Sequence, residues 1–501
     1  MAILDRLEPR PVWEIFEEIT RVPRPSKKEG QIIRYLTDFA GKHGFDCKKD
    51  DAGNVVIRKK HHLDYRQDAA GNIVILKPAT PGCEKSPVVI LQSHMDMVCE
   101  KNSDVVFDFE NDPIVPRIED GWVKATGTTL GADCGIGMAA ALAALTDEKL
   151  EHGPLEALFT VDEETGLTGA FNLGENMLSG QYLINLDSED EGELFIGCAG
   201  GIDTVATFRY TPQEPPRGTV FFRVDIAGLK GGHSGDNIND GLANSNKLMA
   251  RLLGQIGRET DLCLGYFDGG NLRNAIPREA YALFGVPVKG VRRLFEIYER
   301  FTRDIAEEFR LTDPGITFSI AEMPPTDTVL DAATRDGLLG SLLGVPNGVL
   351  AMSHAVPGLV ETSTNLASVK FGPDRTITVT SSQRSSSESA KRAAAASVEA
   401  VYRLAGAEVS HSDGYPGWTP DPDSRLLETA RTAYASLFGT EPRIRAIHAG
   451  LECGLFLEKY PDLEMVSFGP TLRGVHSPDE RLEIATVDKF WKLLCEVIRT
   501  L

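Results

Sequence analysis

No stretch of the 501 residues approaches the roughly 20 consecutive apolar residues of a membrane-spanning helix, the nearest being the short Ala-rich "GMAAALAAL". The opening segment, "MAILDRLEPRPVWEIFEEITRVPRPS", carries charges throughout and lacks an apolar core of signal-peptide length, so no secretion signal is expected. Cysteine is sparse: eight are scattered along the chain with no C-x-x-C pair. That argues against a disulfide framework and a cysteine zinc site, and fits a reducing, cytoplasmic location. Positive charge is also short, with 52 Lys plus Arg against 73 Asp plus Glu and a net charge of −21. Such a surplus repels a phosphate backbone and an anionic membrane face, so neither nucleic acid nor membrane is an expected partner.

What is present is the composition of a globular protein, 42% hydrophobic and 25% charged, in a chain longer than one core usually serves. Over the first 200 residues helical and strand patterns alternate. "PVWEIFEEITRV" and "EGQIIRYLTDFAGKHG" repeat apolar residues at helical spacing, and "SPVVILQ", "LEALFTV" and "QYLINLD" read as strands, with the helix "GIGMAAALAALTD" between the first two. The pattern predicts an α/β fold with a mixed, mostly parallel sheet flanked by helices, whose ligands lie at the carboxyl ends of the strands.

Near Gly200 the texture changes. "RYTPQEPPRGTV" reads as one boundary and "GYPGWTPDPDS" as a second, with new strands and helices between them. The simplest reading is a domain built from residues 1–202 and 420–501, interrupted by an inserted α+β domain over 203–419, although composition alone does not separate this from three consecutive domains. Near the start, "DDAGNVVIRK" at 50–59 recurs as "DAAGNIVILK" at 68–77, identical at seven of ten positions. Each copy reads as a Gly-Asn turn entering a strand, predicting an extra edge hairpin or one looped-out copy. His61 and His62 lie between the copies; neighbours on an extended chain point to opposite faces, so a solvated loop is expected there rather than a ligand pair.

Several acidic and imidazole side chains share one placement, just beyond an apolar strand-like run. His94 and Asp96 follow "VVILQS", Glu163 and Glu164 follow "ALFTVD", and Asp187 follows "YLINL". Asp133 sits in the glycine-rich "GTTLGADCGIGM", and His476 in "GPTLRGVHSPDERLEI" after the apolar "EMVSFG". If the strands are parallel neighbours, these groups converge at one rim and offer imidazoles and carboxylates without thiolates, a set suited to zinc, with manganese or cobalt as alternatives. Two cations suit the set better than one, because a second neutralises carboxylates that would otherwise crowd together. Glu163 and Glu164 could then divide the work of ligand and general base.

These segments, with "HMDMV", "KATGTTLGADCGIGMA", "DEETGLTGAF", "INLDSEDEGELFIGCAGG", "GLKGGHSGDNIN", "RNAIPRE", "QRSSSES", "HAGLECG" and "RGVHSPDERL", resemble over nearly the whole chain the dinuclear zinc exopeptidases that include aminoacyl-histidine dipeptidases, carnosinases and peptidase T. The likeness is strongest to the aminoacyl-histidine dipeptidase (peptidase D) branch. It implies His94, Asp133, Glu164, Asp187 and His476 as metal ligands, with Asp133 bridging, and Glu163 as general base. By the same resemblance Asp96 would orient the His94 ring, and His233 in "GGHSG" would stabilise the oxyanion from an inserted lid and dimerisation domain. Asn274 and Arg384 would bind the substrate carboxylate, and Glu452 its amino group.

The implied activity is hydrolysis of unblocked dipeptides, Xaa-His types among them, by a cytoplasmic homodimer. A related aminotripeptidase, an N-acyl amino acid amidase or deacylase, and a non-catalytic metal-binding scaffold are the alternatives. Retention of Glu163 beside the candidate ligands speaks against the scaffold, since storage needs no base. One departure stands out: Cys134 follows the bridging Asp where the family pattern has Asn, which puts metal affinity or choice in doubt.

Overall fold

The computed structural model describes residues 3–43, 45–49, 55–59, 70–174 and 176–501. The chain divides into two units, one of Met1–Gly197, Pro420–Ala446 and Glu452–Leu501, the other of Cys198–Thr419 and Ile447–Leu451.

The first unit is built around a mixed sheet in which Leu155–Thr160, Val89–His94, Tyr182–Asn185 and Glu464–Ser467 run side by side and parallel. Val89–His94 and Leu155–Thr160 are buried at every residue. That explains their unbroken apolar runs, since a strand covered on both faces has no reason to alternate. The helix Ala132–Thr146 packs against Val89–His94 and against the helix Arg10–Thr20. Its Ala and Gly residues permit close approach all round, and nearly the whole helix is buried. Arg10–Thr20 turns Val12, Trp13, Ile15, Phe16 and Ile19 inward, the face its apolar spacing predicts.

Because the four central strands are parallel, their carboxyl ends share one edge, and the residues just beyond them are brought together there. The helix predicted from Gly135 begins regularly at that point; Asp133 and Cys134, at φ/ψ of −81/113 and −98/33, are not helical. Asp133 is thus carried on loop-like backbone at the head of a rigid helix.

The repeated decapeptide adds an antiparallel pair at the sheet's edge, the first of its two expected outcomes, and both copies contribute a strand. Val55–Lys59 and Ile73–Lys77 are both strands, paired in parallel as Val55↔Ile73, Val56↔Val74, Ile57↔Ile75 and Arg58↔Leu76. Each of these four residues meets its own counterpart in the repeat. Phe45–Lys49 then adds antiparallel to the first copy at the sheet's edge. His61 and His62 lie outside the described residues.

The second unit is an antiparallel sheet in the order Thr317–Met323, Thr219–Ala227, Ala280–Pro287, Cys263–Gly269, Val360–Phe371, Thr376–Ser385, Gly200–Arg209, Glu408–His411, with Gly348–Met352 added beside Val360–Phe371. Helices including Ser245–Glu259 and Val291–Glu308 contribute to its core, where Leu248, Phe222, Phe267, Phe284 and Phe301 meet. Val291–Glu308 buries Leu294, Ile297, Phe301 and Ile305, a three-and-four spacing that makes one apolar stripe. Asn244 begins Ser245–Glu259 by accepting from Lys247 N at 3.1 Å, while its Nδ2 donates to the buried Leu366 carbonyl at 3.0 Å. Replacing Asn244 by Ala loses the cap and the nearer of two side-chain donors to that carbonyl, which Asn246 Nδ2 reaches at 3.4 Å, and is expected to cost about 1–2 kcal/mol. Calorimetry of the full chain should show one transition moved to lower temperature; an unmoved profile would contradict the dual role.

Candidate metal centre

His94 ends its strand almost fully enclosed, with a relative exposure of 1%. Its Nδ1 faces Asp96 Oδ1 at 3.4 Å, and its Nε2 faces Asp133 Oδ1 at 3.0 Å and Asp187 Oδ1 at 3.3 Å. Across the site His476 Nε2 lies 3.1 Å from Asp133 Oδ2 and 3.1 Å from Glu164 Oε2. One oxygen of Asp133 therefore meets the His94–Asp187 pair and the other the His476–Glu164 pair. His476 itself sits in the left-handed region at φ 60, more open than His94.

Glu163 and Glu164 open a short helix, Glu163–Gly166, entered through Asp162 in the left-handed region at φ 50. Asp96 fixes that entry: its Oδ1 accepts from Glu163 N at 3.0 Å and its Oδ2 from Glu164 N at 3.2 Å, with Ser26 Oγ donating to Oδ2 at 2.7 Å. The same carboxylate thus addresses the His94 ring and the Glu163–Glu164 backbone. Glu452 is also here, 2% exposed, with Oε2 accepting from Gln92 Nε2 at 2.6 Å and Thr160 Oγ1 at 2.8 Å. Its Oε1 has no hydrogen-bond partner among the described residues.

The electrostatics follow from crowding. Burial pushes Glu163 well above the usual carboxylate range, and the nearby charges of Asp187, Glu164 and Glu452 add to it against the opposing pull of His94. Burial likewise lifts Glu452 to about 8. Hydrogen bonds to Asp133 and Glu164 raise His476 to about 11. Burial opposes charge on His94, but Asp187, Asp133 and Asp96 together overcome it and move the imidazole upward.

A cation fits this arrangement better than protons do. A ring nitrogen carries at most one hydrogen, yet each Nε2 faces two carboxylate oxygens. Among the described residues Glu164 Oε1 is buried without a hydrogen-bond partner, and Asp187 Oδ1 is buried beside a His94 Nε2 that it shares with Asp133, at 3.3 Å. Ligand atoms of His94, Asp133 and Glu164 lie within 4.8 Å of one another, as do those of His94, Cys134 and Asp187. Cys134 is buried beneath the site, its Sγ 3.4 Å from the Leu186 carbonyl oxygen.

Residues 90–500 match the sequence profile of peptidase family M20/M25/M40. The chain belongs to that family. Among M20/M25/M40 relatives, the cytosol non-specific dipeptidase of Escherichia coli is 42% identical over 499 residues, covering 100% of this chain and 99% of the relative. The crystal structure of aminoacylhistidine dipeptidase from Vibrio alginolyticus matches with a TM-score of 0.89 at 42% identity, over 99% of this chain and 98% of that one. An aminopeptidase structure from Bacillus cereus shares the fold more distantly, with a TM-score of 0.56 at 18% identity over 98% of each chain.

Of the residues singled out in the sequence, His94, Asp96, Asp133, Glu163, Glu164, Asp187, Glu452 and His476 belong to the first unit of this M20/M25/M40 chain. His233, Asn274 and Arg384 belong to the second. Arg384 donates from Nη1 to Tyr415 Oη at 2.9 Å and from Nε to Ser234 Oγ at 3.3 Å, and its Nη2 lies 3.3 Å from His233 Nε2. Nδ1 of His233 faces Asp236 at 3.2 Å. The Asn274 carbonyl accepts from Ser234 N at 2.8 Å, and Asn274 lines a cavity of about 690 Å³ with Asp203 and Arg273. Tyr415, Ser234 and Gln92 went unrecognised in the sequence. Each is a common residue whose partner lies far along the chain, and no local signal marks it.

Asp96 accepts hydrogen bonds on both oxygens, so Asp96→Asn must set an amide N–H₂ against existing donors. The variant is expected to bind a divalent cation about 10–100-fold more weakly, as loss of a carboxylate behind an imidazole that faces a metal generally does. Competition with a chromophoric chelator measures this, and unchanged affinity would separate Asp96 from the centre.

Proposed function

We propose that the chain is a metal-dependent dipeptidase of the cytoplasm, acting on unblocked dipeptides, Xaa-His types among them, as a homodimer. The observation that carries the proposal is the Asp133 carboxylate shared between two imidazole–carboxylate pairs, with its oxygens 3.0 Å from His94 Nε2 and 3.1 Å from His476 Nε2. The names and near full-length 42% identity of the Escherichia coli and Vibrio alginolyticus relatives support the same substrate class.

In this reading His94 and Asp187 would hold one divalent cation and Glu164 and His476 a second, with Asp133 shared between them; zinc is the proposed metal, with manganese or cobalt as alternatives. Bound there, the cations would acidify water and polarise the scissile carbonyl. Glu163 takes a proton from the attacking water as its oxygen adds to the carbonyl carbon, then passes that proton to the nitrogen as the C–N bond breaks. Its enclosure suits both halves of the task, because a carboxylate made more basic by burial accepts a proton readily and remains acidic enough to release it to an amine. Asp96, beside Nδ1, would keep the His94 ring turned so that Nε2 points between Asp133 and Asp187, where a cation would sit.

The second unit is proposed as a lid and dimerisation domain. His233 would donate to the developing oxyanion, and the planar fork of Arg384, with Asn274, would take the substrate's terminal carboxylate. Tyr415 and Ser234 hold that fork in place, at 2.9 and 3.3 Å. Glu452, with one oxygen unpartnered, would pair with the free amino group.

A hydrolysis panel on metal-loaded protein tests the substrate class: carnosine, other Xaa-His and Xaa-Xaa dipeptides, tripeptides and N-acyl amino acids. Cleavage of the free dipeptides is expected, whereas activity confined to N-acyl substrates would point to an amidase and sink the proposal. Glu163→Gln should keep its metal and lose turnover by about 10³-fold or more. Full activity in that variant would remove Glu163 from the role of base.

A further inference from the structure

Two buried charges that the proposed chemistry does not use meet behind Asp133. Arg24, in the loop "RVPRPS", is 1% exposed. Its Nη1 donates to the carbonyls of Met95 at 3.1 Å and Asp96 at 2.6 Å, and its Nη2 donates to the Gly131 carbonyl. Glu480, 2% exposed, accepts from four successive backbone N–H groups. Oε2 takes Leu130 at 2.7 Å and Gly131 at 3.0 Å, and Oε1 takes Ala132 at 2.7 Å and Asp133 at 3.3 Å.

Gly131 is gripped at both ends, its N–H by the carboxylate and its C=O by the guanidinium. It sits at φ +72, and a Cβ there would come within 2.6 Å of Arg24 Nη2 and 2.9 Å of Met97 Sδ, so only glycine lets the two charges close on the loop. The grip reaches three segments that carry candidate ligands. Arg24 holds the carbonyls that follow His94, both charges hold the loop leading into Asp133, and Glu480 lies four residues beyond His476 on the same loop. Between them they tie the end of one strand, the head of one helix and a distant carboxy-terminal loop.

Among the described residues the Asp133 side chain hydrogen-bonds only the two imidazoles, at 3.0 and 3.1 Å, so its aim is set largely by its backbone. We propose that Arg24 and Glu480 are positioning residues, a pair of opposite charges that sets the Asp133 backbone so that its carboxylate divides between the two halves of the centre before any metal arrives. The proposal rests on the reading of Asp133 as a bridging ligand. Neither charge touches the substrate or the reacting atoms in this account. Their effect is to remove the cost of ordering the bridge when the cations bind, the usual benefit of fixing a ligand in advance.

The test compares wild type with Glu480→Gln and Arg24→Lys as full-length protein. Gln turns an N–H₂ toward two of the four backbone donors, and Lys keeps the charge but loses the planar fork that spans three carbonyls. Both variants are expected to bind Zn²⁺ about 10–100-fold more weakly in chelator competition and to alter the visible spectrum of the Co²⁺-loaded protein. kcat for a dipeptide should fall while KM stays within about twofold, the pattern of a disturbed centre with intact substrate binding. Glu480→Asp, which restores the charge on a shorter stem, should recover part of the affinity. Wild-type affinity, Co²⁺ spectrum and kcat in both variants would overturn the proposal.

A second measurement needs no variant: hydrogen exchange at the amides of 130–133 in metal-free wild type. Slow exchange is expected, and exchange as fast as in an unstructured peptide would overturn the proposal even if the variants do not fold. A wild-type protein that binds no divalent cation would instead remove the metal reading, while the exchange result would still decide whether the loop is held in advance.

Discussion

Carboxylates repel one another, and a buried group of them can persist only with a countercharge built into the same space. Here Asp133, Glu163, Glu164, Asp187 and Glu452 converge where four parallel strands end, and two imidazoles are interleaved among them at 3.0–3.3 Å. Much else in the first unit serves that convergence. The strands are buried on both faces so that their ends can be rigid, Asp96 spends both oxygens on the backbone that delivers Glu163 and Glu164, and a buried arginine and glutamate close on the loop of Asp133.

The second unit is organised on different lines. An antiparallel sheet covered by amphipathic helices gives an apolar core and leaves polar groups to gather at its margins. His233, Ser234, Arg384 and Tyr415 form such a group, held by directional hydrogen bonds. Arg384 lies on a long strand, Thr376–Ser385, so its stem is anchored before its fork is oriented. The polar composition of "SSQRSSSES" would suit a solvated loop, yet Ser381, Ser382 and Ser385 are buried within the sheet. Small hydroxyl side chains can pair with each other there, as Ser385 does with Thr362 at 2.9 Å, so polarity was a poor guide to exposure.

The repeated decapeptide shows how tertiary pairing changes the meaning of a local pattern. Val55–Lys59 and Ile73–Lys77 are strands, as their apolar runs predicted, and they pair with each other in parallel register while each takes an antiparallel partner on its other side, Phe45–Lys49 and Leu155–Thr160. A parallel pair requires a connection longer than a hairpin turn, which the 18-residue offset supplies.

The sequence by itself determined the helices at Arg10–Thr20 and Gly30–Lys42, the buried strands, and which polar residues stand just beyond them, because hydrophobic periodicity and the ends of apolar runs are local properties. His94, Asp96, Glu163, Glu164 and Asp187 were legible for that reason. Only the tertiary structure decided that the strands lie as parallel neighbours and that Asp133 faces two imidazoles 343 residues and 39 residues away. The tertiary structure also decided that Arg24 and Glu480 are buried charges rather than surface ones. The physical reason is that a charge is tolerable in the interior only when distant backbone groups converge on it. For Glu480 those are N–H groups about 350 residues earlier in the chain, and no local pattern records them.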